Sequence, residues 1–230
     1  MILYYIGMEI EVKVPENLSE ITLGQYQKYL EIQEGDNDEM FIAQKMIEIF
    51  CNIELKYVTK MRWKDVQEIT LTLSNMFDED SKFTKMFTLD KVQYGFIPNL
   101  DEITFGEFVD LDTYLGDWQQ MDKAMSVLFR PVDINVRGRY NIKEYDGSMN
   151  EHLKEMPLSI ALGAVFFLLT LGKDLSQVMM DYLDKGILKD HIQVKEGLMQ
   201  NGIGIHHFTQ QLKETLKSLN ISQTKLHIKS

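Results

Sequence analysis

Proline is scarce in this chain, 4 of 230 residues, against a usual share of about 5%. Long helices therefore meet few breakers. Cysteine is scarcer still. A single residue, Cys51, excludes an internal disulfide framework and any CxxC metal pair, and it fits a reducing compartment. The opening MILYYIGMEIEV lacks a basic leader and a small-residue cleavage site, so it reads as part of the fold and not as a secretion signal. Both Met1 and Met8 stand as possible starts. Ser/Gly-rich linkers and low-complexity tracts are missing too, which predicts units that pack together.

Positive charge is also in deficit. Lys and Arg number 24 against 35 Asp and Glu, a formal charge of −11. Such a surface repels phosphate backbones and argues against direct nucleic-acid binding. The imbalance is uneven: residues 185 to 230 carry seven Lys and three acids, a net +4, while the rest carries −15. The basic end suits docking on an acidic surface or, more simply, a solvated helical tail. Apolar residues make up 44% and charged residues 26%, ordinary values for a chain able to bury a core without disulfide or metal.

Linear signatures of chemistry are missing as well. The five histidines, His152, His191, His206, His207 and His227, form no HExxH, and the adjacent His206 and His207 diverge by about 100° on a helix. Asp36-Asn37-Asp38 is a fragment of a calcium loop without its glycine and glutamate, and reads as a helix cap. Asp110 and Asp112 look like paired carboxylates, yet neighbouring helical positions point apart, so they read as solvated acids. Neither GxxxxGK[ST] nor GxGxxG occurs, Gly202-Ile203-Gly204 being only a fragment, and no serine sits in GxSxG. Cys51, at an apolar helix end, reads as a structural thiol. No cofactor, metal or catalytic residue is assigned.

What the chain does contain is similarity to itself. Val14-Pro15-Glu16-Asn17-Leu18-Ser19-Glu20-Ile21-Thr22-Leu23-Gly24-Gln25-Tyr26 matches Ile97-Pro98-Asn99-Leu100-Asp101-Glu102-Ile103-Thr104-Phe105-Gly106-Glu107-Phe108 with one residue deleted. The offset is 83 at the prolines, 82 from Leu18, and 79 where Met46, Ile49 and Phe50 face Met125, Leu128 and Phe129. Thr22 with Gln25, and Thr104 with Glu107, form Thr-x-x-Glu/Gln capping boxes, and Ile21/Tyr26 and Ile103/Phe108 form hydrophobic staples around them.

Upstream of each proline the pattern is extended. Ile10, Val12 and Val14 alternate with polar residues, and Phe87 to Ile97 offers two short strands around Asp90-Lys91. Downstream come second helices: Asp38 caps one with Ile42, Met46, Ile49 and Phe50 on a face, while Trp118, Met121, Met125, Leu128 and Phe129 mark the other, which Pro131 is expected to stop. These stripes read as core. Ile53 to Met61 reads as a short helical turn and Trp63 to Phe77 as an amphipathic helix.

The expected fold is mainly α with small β hairpins (α+β): two pseudo-repeated modules, each a β ribbon followed by two helices, packed with a C-terminal helical region. Asp78-Glu79-Asp80-Ser81 is the clearest polar break. The divisions are 1–80 for the first module with an extra helix, 81–150 for the second with an irregular hairpin or loop over 133–150, and 151–230 for the C-terminal region. Residues 158–172, the most apolar stretch, follow Pro157 and span about 22 Å as a helix, short of the roughly 30 Å hydrocarbon layer of a membrane. They read as a helix buried on all sides. Beyond it, helices separated by Gly186 and by Asn201 to Gly204 are expected, then a polar tail.

Four of the chain's residues are arginine, and three, Arg130, Arg137 and Arg139, cluster. Planar guanidinium groups suit bidentate contact with carboxylates, so these are the candidate protein-contact residues, with phosphate as the other possible ligand.

The string Tyr94 to Phe108, continued by Ala124 to Pro131, resembles small proteins encoded by tailed bacteriophages of the marine and gut kind, over roughly residues 10 to 175. The resemblance implies a non-enzymatic virion structural protein or assembly factor in the virion or the host cytoplasm. Its partners would be other phage structural proteins or copies of itself, with neither nucleic acid nor membrane bound directly. Two alternatives stand beside it: a protein similar to the tail assembly chaperones that bind tape-measure helices, and an enzyme of unknown class. Abundant Met, 14 residues, suits adaptable contact surfaces.

Overall fold

The structure, a computed structural model, describes residues 2–5, 8–137 and 139–184, with side chains for 12–137 and 139–174. The expectations for 185–230 lie outside the described residues. Within them run strands β1 (Ile2–Tyr5) and β2 (Met8–Glu11), helices α1 (Leu23–Glu34), α2 (Glu39–Phe50), α3 (Leu55–Val58) and α4 (Trp63–Met76), strands β3 (Met86–Leu89) and β4 (Val92–Phe96), helices α5 (Phe105–Tyr114) and α6 (Met121–Leu128), strands β5 (Phe129–Val136) and β6 (Arg139–Ile142), and helix α7 (Leu158–Asp184). Both sheets are antiparallel, β1-β2 and β3-β4-β5-β6, so the protein is mixed α+β.

Two helix starts share one local construction. The Asn17 side chain accepts from the Ser19 amide at 3.0 Å and opens a 3-10 turn, Leu18–Glu20. Thr22 then caps α1, its hydroxyl accepting from the Gln25 amide while the Gln25 side chain accepts from the Thr22 amide. Asn99, the 3-10 turn Leu100–Glu102, and Thr104 with Glu107 do the same at α5. Each cap satisfies amides that the helix itself leaves open. The β3–β4 hairpin turns at Asp90 and Lys91, whose φ of 44° and 69° are those of a two-residue turn matched to the strand twist.

The helical stripes meet where their spacing indicates. Leu23, Tyr26 and Leu30 of α1, Met46, Ile47 and Phe50 of α2, and Val66, Ile69, Leu73 and Met76 of α4 are buried. Tyr26 packs edge-on to Trp118 at 5.4 Å and Tyr29 lies against Phe50 at 5.1 Å, geometries that aromatic quadrupoles favour. Between α1 and α6 the contact is polar. Buried Gln27 donates to the Trp118 carbonyl and to the Asp122 carboxylate, both at 2.9 Å, and Gln119 donates back to the Gln27 carbonyl at 3.2 Å. A buried amide with its bonds made holds two helices in one register.

Residues 153–158 close over the start of α1. Met156 accepts from the Leu23 amide at 2.9 Å, and the Leu158 amide donates to Ile21 at 2.8 Å, a β-bridge centred on Thr22 and Pro157. Pro157 then supplies the first accepting carbonyl of α7. Gly163 lets α7 meet the chain at Lys82: a Cβ there would stand 2.5 Å from the Lys82 carbonyl oxygen. One turn on, Phe167 stacks on Phe83 at 4.1 Å.

Three expectations need correction. The apolar helix does not end at residue 172 but continues to Asp184. Nor is it buried on all sides: Leu158, Ala161, Ala164 and Val165 are buried, whereas Ile160, Phe166, Phe167 and Leu171 are half-buried, because the body covers one flank more fully than the other. Pro131 does not stop a helix. The α6 helix ends at Leu128, and Phe129 already belongs to β5, in which Pro131 lies opposite Tyr94. Proline restricts the residue before it to extended backbone, and here Pro131 sits where β4 pairing ends and next to a register shift between Val132 and Ile134, so its missing N–H breaks no long ladder.

Candidate protein-contact site

The three clustered arginines lie on one hairpin, but the fold separates them. Arg130 stands at the buried base of β5, and Arg137 and Arg139 stand at its exposed tip, seven residues or about 23 Å away along an extended strand.

Arg130 faces inward. Its Nη1 lies 2.5 Å from Glu107 Oε1, with the two side chains only 12% and 5% exposed. The other oxygen of Glu107 accepts from the Thr104 amide and the Thr104 hydroxyl, each at 2.7 Å. Burial alone would raise the Glu107 pKa, but the Thr104 hydrogen bonds and the Arg130 charge outweigh it and hold the carboxyl below its ordinary value. The ring of Tyr145 lies under the guanidinium, 5.6 Å from Cζ, and its hydroxyl donates to Asp110. Burial, that hydrogen bond and the surrounding acids push the Tyr145 pKa up. Asp110 is thus a bonded acid, while Asp112 has its own interactions.

Arg130 borders a cleft of about 350 Å³ with Lys143, Tyr145, Asp146 and Ser148. Asp146 accepts from the Ser148 amide and hydroxyl, which lowers its pKa, with a smaller contribution from Arg130. The Arg130 Nε is buried and without a hydrogen-bond partner among the described residues. Arg130 therefore ties β5 to α5 through Glu107 and to the loop at Tyr145.

The tip differs. Pairing of β5 with β4 ends at Pro131, and from Ile134 onward only β6 pairs with it. The result is a two-stranded ribbon. Ile134 and Val136 are 53% and 60% exposed on it. Together with Arg137, whose φ is 53°, and with Arg139 they line a shallow concavity of about 650 Å³. Tyr140 anchors the ribbon, its hydroxyl donating to the Phe96 carbonyl at 2.7 Å. The ring crosses Gly95, where a Cβ would lie 2.6 Å from it, so glycine is required there.

The remaining sequence candidates fall into place separately. Cys51 is the buried C-terminal cap of α2, and burial pushes its thiol up to about 11. Asp38 caps α2 through the Phe41 amide at 2.8 Å. His152 lies 3.0 Å from Asp90; the other four histidines and Gly202 to Gly204 lie outside the described residues. Among the described residues no group of three metal-ligating side chains converges, and no helix is long and apolar enough to cross a membrane.

Two features escaped the sequence reading. Glu107 was visible as a capping residue, but its charge differs from Gln25 at the matching place, and that difference was the available signal for an ionic partner. The outward face of α5 was the other: Phe105, Phe108 and Val109 are 82%, 38% and 42% exposed, while Glu107 and Leu111 are its buried side chains. No family model matches this chain, and none of the curated proteins or solved structures compared with it does.

Proposed function

We propose that this protein is a non-enzymatic structural or assembly component of the tailed-phage kind, and that it works by protein contact through the tip of the β5–β6 ribbon. The exposed ribbon carries this reading. A two-stranded hairpin is marginal by itself; this one displays Ile134 and Val136 beside Arg137 and Arg139, with an open strand edge at β6. Apolar side chains flanked by arginine, next to unpaired backbone, suit strand addition by a partner segment. The partner is another structural protein of the particle or a second copy of this chain.

The chain is organised, on this reading, as two copies of one unit, 1–80 and 81–150, with a helical region over 151–230 that covers their joint. The matched Asn-capped turns and capping boxes support the duplication.

The test is mass spectrometry of washed particles from the source that encodes the chain, with the Ile134→Asp/Val136→Asp variant alongside. Wild type is expected at fixed stoichiometry and the variant is expected to be lost from particles while keeping its urea midpoint. Equal incorporation of the variant overturns the ribbon as the contact. If wild type is missing from particles but is captured by a tape-measure segment, the role is that of an assembly chaperone.

A further inference from the structure

We propose that the outward face of the β5–β6 ribbon seats on the outward face of α5 in a second copy of this chain, so that copies join head to tail. The inference rests on the ribbon being the contact and gives it a partner.

The two faces of the ribbon are committed differently. On an antiparallel pair, directly opposed residues share a face and neighbours along a strand alternate. Asn135 lies opposite Tyr140, and this pair turns to the rest of the sheet: Tyr140 donates to the Phe96 carbonyl, and Asn135 to the Met86 sulfur at 3.9 Å. Ile134 with Asn141, and Val136 with Arg139, therefore hold the opposite face, and all four are exposed. Its charge is of one sign. Residues 134–143 contain Arg137, Arg139 and Lys143 and no acid.

Helix α5 presents the reverse. Glu107 and Leu111 fill its inward side, so Phe105, Phe108 and Val109, at positions i, i+3 and i+4, form an exposed stripe along its outside. Asp101 and Glu102, both exposed, stand at the start of this stripe. No Lys or Arg occurs between Lys91 and Lys123, a stretch that carries seven acids.

Nine large apolar side chains are exposed among the described residues, and five of them lie in these two patches. Within one chain the patches do not cover each other, and Tyr140 fixes the ribbon to the sheet. A second copy supplies what each patch lacks, an apolar surface edged by the opposite charge. Like patches would not serve. Two ribbons would set arginine against arginine, and two α5 faces acid against acid, which opposes association. The contact therefore joins unlike surfaces, and a copy that gives its ribbon to one neighbour can receive the ribbon of another. The edge of β6 lies to the side of this face and stays open. Five apolar side chains fall short of the roughly 1,000 Å² that a stable pair buries, so single contacts are transient and copies join as concentration rises.

Sedimentation of the purified full chain tests this. In low salt the mean mass of wild type is expected to rise by about half or more between about 10 and about 500 µM, and to fall back in about 0.5 M NaCl, where exposed charges are screened. Wild type that stays monomeric throughout overturns the proposal.

Two half-defective variants then locate the contact, with urea midpoints to check that each folds. Ile134→Asp/Val136→Asp removes the ribbon face, and Phe105→Lys/Val109→Lys removes the α5 face. Each alone is expected to stay monomeric. Their equimolar mixture is expected to form dimers and nothing larger, since one intact contact remains per pair. Association of either variant alone places the contact elsewhere and overturns the proposal, as does a mixture that stays monomeric. If wild type does not self-associate but Ile134→Asp/Val136→Asp is lost from particles, the ribbon remains the contact and only the second copy falls. If the mixture dimerises but that variant keeps its place in particles, the ribbon falls as the particle contact while the pairing of copies stands.

Discussion

Glu107→Gln separates two tasks that one carboxylate performs in the folded protein. Glutamine keeps the capping box, as Gln25 shows at the start of α1, but it leaves the Arg130 guanidinium facing a neutral group. Removing one partner of a buried ion pair costs about 3–5 kcal/mol. The lower end applies, because Arg130 keeps the Tyr145 ring beneath it and borders a cleft through which its charge can be hydrated. With a urea m-value of about 2 kcal/mol per molar, a loss of about 3 kcal/mol moves the midpoint down by about 1.5 M at pH 7.

The pH dependence follows from the lowered Glu107 pKa. A carboxyl whose folded pKa is depressed contributes stability that is present above its unfolded pKa, about 4.3, and is lost as pH falls through the folded value. Wild type and variant therefore converge in acid. Urea melts at pH 7 and pH 3, with the Glu107→Gln/Arg130→Met double variant to measure coupling, are the assay. A shift at pH 7 below about 0.5 kcal/mol, or strict additivity in the double variant, would refute the buried pair as a source of stability.

Further outcomes follow from other contacts. Gly95→Ala forces a Cβ to within 2.6 Å of the Tyr140 ring; the ring must move and its bond to Phe96 weaken, for a loss of about 1–3 kcal/mol in urea melts and an altered near-ultraviolet signal. Thr104→Ala is expected to cost more than Thr22→Ala, whose loss is about 1 kcal/mol, because the Thr104 hydroxyl also donates to buried Glu107; paired melts check the order. Cys51, buried with its thiol pushed up to about 11, should resist thiol reagents at pH 8 in the native state and react on unfolding in urea. Rapid native labelling would show that the α2 terminus opens readily.

The sequence by itself determined the local pieces. Thr22, Thr104 and Asp38 were readable as caps, Asp90-Lys91 as the turn of a hairpin, and the α2 and α4 stripes as core, because each depends on partners three or four residues away or on the backbone preference of the residue itself. Tertiary structure decided which way those pieces face. The three arginines of one hairpin parted because β5 runs from the interior to beyond the edge of β4, so Arg130 meets Glu107 while Arg137 and Arg139 meet solvent. Pro131 entered a strand instead of ending a helix because the β4 pairing stops beside it. Leu23 is buried and Phe105 exposed at matching places because residues 153–158 return to one helix start and not to the other. Periodicity shows that a helix has two faces; only the contacts brought from distant parts of the chain select the one that is covered.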